Sequence, residues 1–112
     1  MNVYNVEAAK IDLFFTRGDS IYLTFDDITR NDVAYDMTGF QIDIHVRSYD
    51  RRLIRELSTV TGEITIATDS FTIDADGFTE EGIYKYDVQV NDGTHTLTIM
   101  KGLLHVEEEQ TE

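Results

Sequence analysis

Cysteine and proline are both absent from this chain of 112 residues. Without cysteine there is no disulfide framework and no thiolate metal site, so the fold must be held by packing alone, which suits assembly in a reducing cytoplasm. Proline is one of the residues that protect the edges of a β-sheet from pairing with another sheet. Its absence means that charged side chains, or a neighbouring chain, have to cover any such edges.

Basic residues are scarce, with nine Lys and Arg against 22 Asp and Glu, for a formal net charge of −13. Binding of nucleic acids depends on basic side chains that neutralise phosphates, and anionic membranes attract the same residues, so we expect neither as a partner. The plain interpretation of the negative charge is solubility through self-repulsion. A carboxylate-lined cation site or an acidic docking face is the alternative.

Long apolar runs are also missing. No stretch of about 18 apolar residues occurs, so the sequence predicts no membrane span. Residues 1–7 carry neither a basic segment nor an apolar core, and we therefore expect no signal peptide. The length predicts one domain over residues 1–112, with a core at about 9–106 and an acidic tail at 107–112.

The chain does have persistent alternation of apolar and polar residues. Side chains of a strand point to opposite faces in turn, so this pattern predicts strands with one buried and one wet side. The predicted strands are residues 11–16, 21–25, 40–46, 62–66, 70–74, 84–90 and 97–106, with a weaker one at 51–57. About eight short strands at this spacing, with no amphipathic helix, predict an all-β, antiparallel β-sandwich.

Two connections and one strand have recognisable patterns. The polar stretch 27–39 is predicted as a long loop. Asn91 to Gly93 suits a tight hairpin, because Asp and Gly accept the positive φ of such turns. In the last strand the inward-facing set changes parity after Gly102, which predicts a β-bulge at that glycine.

Glu80 to Tyr84 has the order acid-x-Gly-x-Tyr and leads directly into the strongest alternating strand. It resembles the tyrosine corner of immunoglobulin-like sandwiches, in which the phenol of the tyrosine bonds to backbone upstream. The resemblance implies that the sandwich is immunoglobulin-like.

No catalytic constellation is found in the sequence, and we expect no enzyme. The three histidines lie on different predicted strands, no serine has a base nearby, and no glycine-rich loop precedes a helix. His45, on an outward face, is interpreted as a surface histidine. The metal candidates are Asp74, Asp76 and Glu80, since calcium prefers several carboxylate oxygens. Their spacing does not fit a calcium loop, so a plain acidic turn is favoured and no cofactor is expected.

Four arginines, Arg47, Arg51, Arg52 and Arg55, fall within nine positions. One interpretation is a hairpin end whose arginines pair with nearby acids. The other is a positive patch on a negative body that binds a partner, including the acidic surface of another copy, in a head-to-tail manner. These four residues are our partner-binding candidates.

Two further features are weighed against simpler interpretations. Arg17 to Asp19 is the tripeptide that some cell-surface receptors recognise, but it is also ordinary turn chemistry, and we predict a structural turn. Exposed tyrosines could stack on sugar rings, and Tyr22, Tyr35 and Tyr49 are the candidates.

Several segments resemble those of small phage virion proteins; they are residues 11–25, 36–40, 82–90 and 100–106. The first is similar to their opening strand, Arg-Gly-Asp type turn and second strand. The second is similar to their Leu-Thr-Gly lead into the third strand, with Met37 in place of leucine. The last two resemble their late tyrosine strand and their closing strand.

The family resembled is that of the immunoglobulin-like domains of phage tail and baseplate proteins, including the N-terminal domain of phage baseplate upper proteins. The resemblance implies a non-enzymatic structural or auxiliary component of a virion, made in the host cytoplasm. It would be present in many copies and dock on other virion proteins of the capsid surface, neck, tail or baseplate. The alternative is a carbohydrate or cell-surface binding module, possibly calcium-dependent.

Overall fold

A computed structural model describes residues 8–30 and 32–108. Within these ranges the chain forms strands and turns and no helix, so none could span a membrane. The strands are β1 (Ala9–Lys10), β2 (Leu13–Thr16), β3 (Ile21–Phe25), β4 (Thr29–Arg30), β5 (Val33–Ala34), β6 (Gln41–Arg47), β7 (Leu53–Ser58), β8 (Ile64–Ala67), β9 (Ser70–Ala75), β10 (Gly82–Asn91) and β11 (Thr96–Glu107). The all-β prediction is confirmed. Residues 109–112 of the acidic tail lie outside the described ranges.

The strands form two sheets and one small ribbon. The larger sheet has the order β1-β11-β10-β6-β7, with β2 also pairing with β11, and the smaller sheet has the order β3-β9-β8. The hairpin of β4 and β5 is separate. The antiparallel arrangement holds for every pair except those of β1 and β2, which run parallel to β11. Alternation in a sequence does not encode the direction of the partner strand.

The two sheets share one apolar core, as in a β-sandwich. β6 shows the pattern most simply, because its buried and less buried residues alternate from Gln41 to Arg47. Each sheet contributes side chains that are almost fully buried; they include Ile42, Val46, Val88 and Val90 from the larger sheet and Ile21, Phe71 and Ile73 from the smaller one. The outer faces of both sheets are therefore left for contacts with solvent or partners.

The bulge in β11 lies at Ile99, three residues before the predicted position. Consecutive residues of β10 pair with Met100 and Thr98, so Ile99 between them is the extra residue. The predicted change of parity is real, but its placement at Gly102 is wrong. Ile99 is half-buried and packs against the core even as the extra residue, so its apolar character gave no sign that the register shifts there.

Gly102 has a different role, which is to let the backbone of the first strand approach β11 closely. β1 and β2 pair with β11 at the same offset, so they are two parts of one strand interrupted at Ile11 and Asp12. A Cβ atom at Gly102 would lie 2.1 Å from the carbonyl oxygen of Ile11. The Tyr86 hydroxyl donates to that same oxygen at 2.5 Å, and burial together with Asp12 raises the pKa of Tyr86 to about 12.

The segment predicted as a long loop, 27–39, contains the β4–β5 hairpin. Strands of two residues are too short to show alternation, which is why the sequence did not reveal them. The segment is attached to the β8–β9 turn, since the amide of Ile28 donates to the backbone carbonyl oxygen of Asp69 and the amide of Met37 donates to that of Thr68. The Met37 side chain is fully buried in the core.

The tyrosine at the start of β10 makes the bond that the sequence predicts. The Tyr84 hydroxyl donates to the carbonyl oxygen of Glu80 at 3.0 Å. The ring is buried and stacks on Phe78, with ring centroids 6.3 Å apart. Burial, and then the nearby Glu80 carboxylate, raise the pKa of Tyr84. This bond fixes the connection between β9 and β10 against the strand that follows it.

Candidate docking surface

The four candidate arginines are divided between two surfaces. Arg47 and Arg51 line a depression on the outer face of the larger sheet. Arg52 and Arg55 line a second depression, next to Phe78 at the end of the sandwich. Closeness in sequence therefore does not produce a single arginine patch in the fold.

Arg55 is partly withdrawn from solvent. It pairs in the sheet with Val46, whose side chain is buried, so both side chains point toward the inner side of the sheet. Its guanidinium carbon lies 5.2 Å from the centre of the Phe78 ring, and Nη1 donates to the carbonyl oxygen of Gly77 at 3.4 Å. Arg55 thus closes the edge of the core through a cation–π contact, and it is less available to a partner than the sequence suggests.

Positive charge is concentrated instead on the outer face of the larger sheet. Five of the nine basic residues line its depression of about 620 Å³. We call this surface the cationic face, and its basic residues are Lys10, Arg47, Arg51, Lys85 and Lys101. In residues 8–30 and 32–108 the carboxylate contacts within 4.0 Å of a basic group are made by His45 alone. The five cations are thus left without an ion pair inside the described part of the chain.

His45 lies in the same face and engages two of its carboxylates. Its Nε2 is 2.9 Å from Glu56 and its Nδ1 is 3.4 Å from Asp87, and only 17% of its side chain is exposed. Nδ1 of His45 and Oδ1 of Asp87 are buried, and neither atom makes a hydrogen bond within the described residues. The histidine expected at the surface is thus largely enclosed. Among the described residues, Glu56 and Asp87 contact His45 and form no ion pair with the neighbouring lysines.

An apolar strip continues the cationic face toward the far end of β11. Phe14, His105 and Ile83 are neighbours across β2, β11 and β10. Phe14 is 63% exposed and Ile83 is 46% exposed, and the rings of Phe14 and His105 stack with centroids 4.4 Å apart. Tyr49, 60% exposed, lies beneath the ammonium of Lys85 at 5.4 Å. Exposed aromatic and aliphatic side chains that lie together beside a polar rim are typical of protein interfaces.

Aspartates gather at one end of the sandwich, in the loops around β4, β5 and the two hairpin turns nearby. We call this region the acidic end; its residues are Asp26, Asp27, Asp32, Asp36, Asp69 and Asp92. The backbone bonds from the β4–β5 segment to Thr68 and Asp69 hold these loops together. Arg30 is the one Lys or Arg residue in these loops.

Two members of the acidic end have ordered carboxylates. Asp92 accepts hydrogen bonds from the amides of Thr94 and His95 in the predicted hairpin turn, and these bonds lower the pKa of Asp92. Asp36 accepts a bond from the amide of Thr38, and hydrogen bonding with Thr38 lowers the pKa of Asp36. Both carboxylates therefore stay ionised to lower pH than ordinary aspartates.

The metal candidates lie in β9 and in the connection that follows it toward β10. Asp74 lies opposite Tyr22 in the smaller sheet, Asp76 follows β9, and Glu80 offers its carbonyl to Tyr84. Within the described ranges, no three residues among His, Cys, Asp and Glu are placed to hold a metal ion. The structure thus does not bring Asp74, Asp76 and Glu80 together as a set of ligands.

The exposed tyrosines do not form a shared platform. Tyr22, 71% exposed, lies on the smaller sheet, Tyr49 lies in the β6–β7 turn, and Tyr35 is half-buried against Phe40. The Arg17 to Asp19 turn is packed against the β9–β10 connection, where the amide of Gly18 donates to Phe78. Its geometry is that of the predicted structural turn.

No family model matches the chain, and no curated protein matches it in sequence. The kind of site must therefore be inferred from the side chains themselves. An open sheet face with five cations and an apolar strip offers charge and contact area to a partner. Sequence reasoning missed Lys10, Lys85 and Lys101, since they lie on three strands that only the fold brings together.

Proposed function

We propose that the chain is an immunoglobulin-like β-sandwich that serves as a structural or auxiliary component of a phage virion. It acts as a protein–protein docking module and not as an enzyme. The strand order supports the immunoglobulin-like part, since β3-β9-β8 corresponds to strands B, E and D, and β11-β10-β6 to strands G, F and C. The tyrosine bond at the start of β10, the equivalent of strand F, supports it further.

The observation that carries the docking function is the cationic face with its apolar strip. A sheet face that only meets water would be expected to carry mixed charge and few large apolar side chains. Here five cations, which have no ion pair among the described residues, adjoin exposed Phe14 and Ile83 on a chain whose net charge is −13. Such a surface gains more from contact with an acidic, partly apolar protein surface than from solvent.

The resemblance to immunoglobulin-like domains of phage tail and baseplate proteins supplies the biological setting. In that setting the chain is made in the host cytoplasm, which agrees with a fold that needs no disulfide. It then becomes part of the particle by binding other virion proteins, in many copies. The docking residues named from the sequence are divided in this proposal, because Arg47 and Arg51 belong to the cationic face and Arg52 and Arg55 do not.

Incorporation into particles tests the proposal. A double variant, Lys85→Glu with Lys101→Glu, reverses the charge at two exposed positions of the cationic face. The control, Arg17→Glu with Arg52→Glu, makes the same change in net charge at positions outside the cationic face and the acidic end. We expect particles assembled with the first variant to carry at least about tenfold less of the chain than particles assembled with the control. Equal amounts of the two variants per particle would contradict the proposed role of this face.

A further inference from the structure

We propose that the cationic face binds the acidic end of a second copy of this chain, so that copies associate head to tail. The inference rests on the docking function proposed above and names one partner for it. Two surfaces of opposite charge on one molecule are the basis of the argument. The first carries five cations, and the second carries six carboxylates and Arg30.

The acids in and beside the cationic face reduce its charge but do not cancel it, because five Lys and Arg stand against Asp12, Glu56 and Asp87. Glu56 and Asp87 face the two nitrogens of His45. Asp12 accepts a hydrogen bond from the amide of Leu103 at 3.1 Å, where the first strand is interrupted. Lys85 and Lys101 are exposed at the surface, where they present the remaining positive charge to a partner.

The acidic end is suited to be the complementary surface. Five of its six aspartates are exposed, and Asp36 and Asp92 are kept ionised by hydrogen bonds to their carboxylates. Asp27 and Asp32 have positive φ angles of 53° and 63°, which Asp tolerates better than most residues. The carboxylates are therefore presented at the tips of loops that the backbone bonds to Thr68 and Asp69 hold in place.

A contact between two different surfaces of identical chains is heterologous, and it continues as a ring or a filament. The whole chains repel each other because each carries a net charge of −13. At physiological salt the Debye length is about 8 Å, so distant charges are screened while groups in contact still attract. Burial of Phe14 and Ile83 adds an apolar contribution that salt does not remove. The local attraction can therefore exceed the overall repulsion once the two surfaces touch.

Analytical ultracentrifugation of the purified 112-residue chain tests the inference with two charge variants. The face variant carries Lys85→Glu and Lys101→Glu. The end variant carries Asp26→Lys, Asp27→Asn and Asp32→Asn, which keeps residues that tolerate positive φ at the last two positions. At about 0.15 M salt we expect the wild type to form oligomers that grow with concentration, and each variant alone to stay monomeric, with self-association at least about tenfold weaker.

A mixture of the two variants is the decisive measurement. The end of the face variant and the face of the end variant are both intact, so the mixture should form dimers and no larger species. If the end variant still dimerises alone, the face pairs with itself and the head-to-tail arrangement is wrong. A wild type that stays monomeric at all concentrations also overturns it. In that case, loss of the face variant from particles would show that the docking function stands and that the partner is another virion protein.

Discussion

The close approach of the first strand to Gly102 can be tested by adding a methyl group at this position of β11. In Gly102→Ala the added Cβ would lie 2.1 Å from the carbonyl oxygen and 2.8 Å from the carbonyl carbon of Ile11. Both are backbone atoms, so no side-chain rotation can relieve the overlap, and the Ile11 backbone must move. Three hydrogen bonds depend on its present position: Tyr86 to Ile11, Ile11 to Lys101, and Leu103 to Asp12.

The expected cost follows from these contacts. Overpacking a close-fitting site costs about 1–3 kcal/mol, and a hydrogen bond lost within the fold costs about 1 kcal/mol. We therefore expect Gly102→Ala to lower the free energy of unfolding by about 3 kcal/mol. For a chain of this length that corresponds to a fall in Tm of roughly 12 °C. Urea denaturation followed by circular dichroism measures the first quantity and a thermal scan measures the second.

Gly62→Ala is the matched control, because the added Cβ has space there but the backbone conformation disfavours it. Its φ is 85°, in the left-handed region, but a Cβ there would meet nothing within 4 Å. The control should therefore cost only about 1 kcal/mol of backbone strain. If Gly102→Ala destabilised the chain no more than Gly62→Ala, the close approach of Ile11 to Gly102 would be refuted. A double-mutant cycle of Gly102→Ala with Tyr86→Phe should also be non-additive, since both changes act on the Ile11 carbonyl.

Three further outcomes are expected. Tyr84→Phe removes the hydroxyl bond at the start of β10 and should cost about 1 kcal/mol of unfolding free energy in urea titrations, whereas Tyr22→Phe, on the exposed outer face, should cost nothing measurable. The pKa of Tyr86 is about 12 in the fold, above its ordinary value of 10.0, so the stability that its protonated hydroxyl contributes is complete below pH 10 and is lost as pH rises from about 10 to about 12. Tyr86→Phe should therefore lose less unfolding free energy over this pH range than the wild type. Identical profiles of unfolding free energy against pH for the two proteins would contradict the assignment. Arg55→Ala should lower the free energy of unfolding by about 1 kcal/mol through its lost contact with an aromatic ring, and Arg52→Ala, the exposed control, should not.

Local pattern was enough to predict the strands and one specific bond. Each of the eight strands predicted from alternation occurs with ends shifted by at most two residues. The Tyr84 hydroxyl bond to upstream backbone was implied by the resemblance to a tyrosine corner, and its donor and acceptor are only four residues apart. These features depend on neighbours along the chain, and the periodicity of a strand or the order acid-x-Gly-x-Tyr contains that information.

Features that depend on distant partners could not be found this way. The parallel pairing of β1 and β2 with β11 joins the two ends of the chain. Gly102 was interpreted as a bulge residue because the segment that packs against it, at Ile11, is about ninety positions away in the sequence. The four arginines looked like one patch because they are adjacent in sequence, yet the inward side of β7 takes Arg55 into contact with Phe78.

The cationic face shows the same limitation at the level of function. Its residues come from both ends of the chain and from β6 and β10, so no window of sequence contains them. In the proposed assembly this distribution gives specificity as well as attraction. On a chain of net charge −13, most relative orientations of two copies bring carboxylates together and are repulsive. The proposed orientation places the acidic end on the cationic face and brings opposite charges together, so the excess of aspartate and glutamate disfavours other contacts.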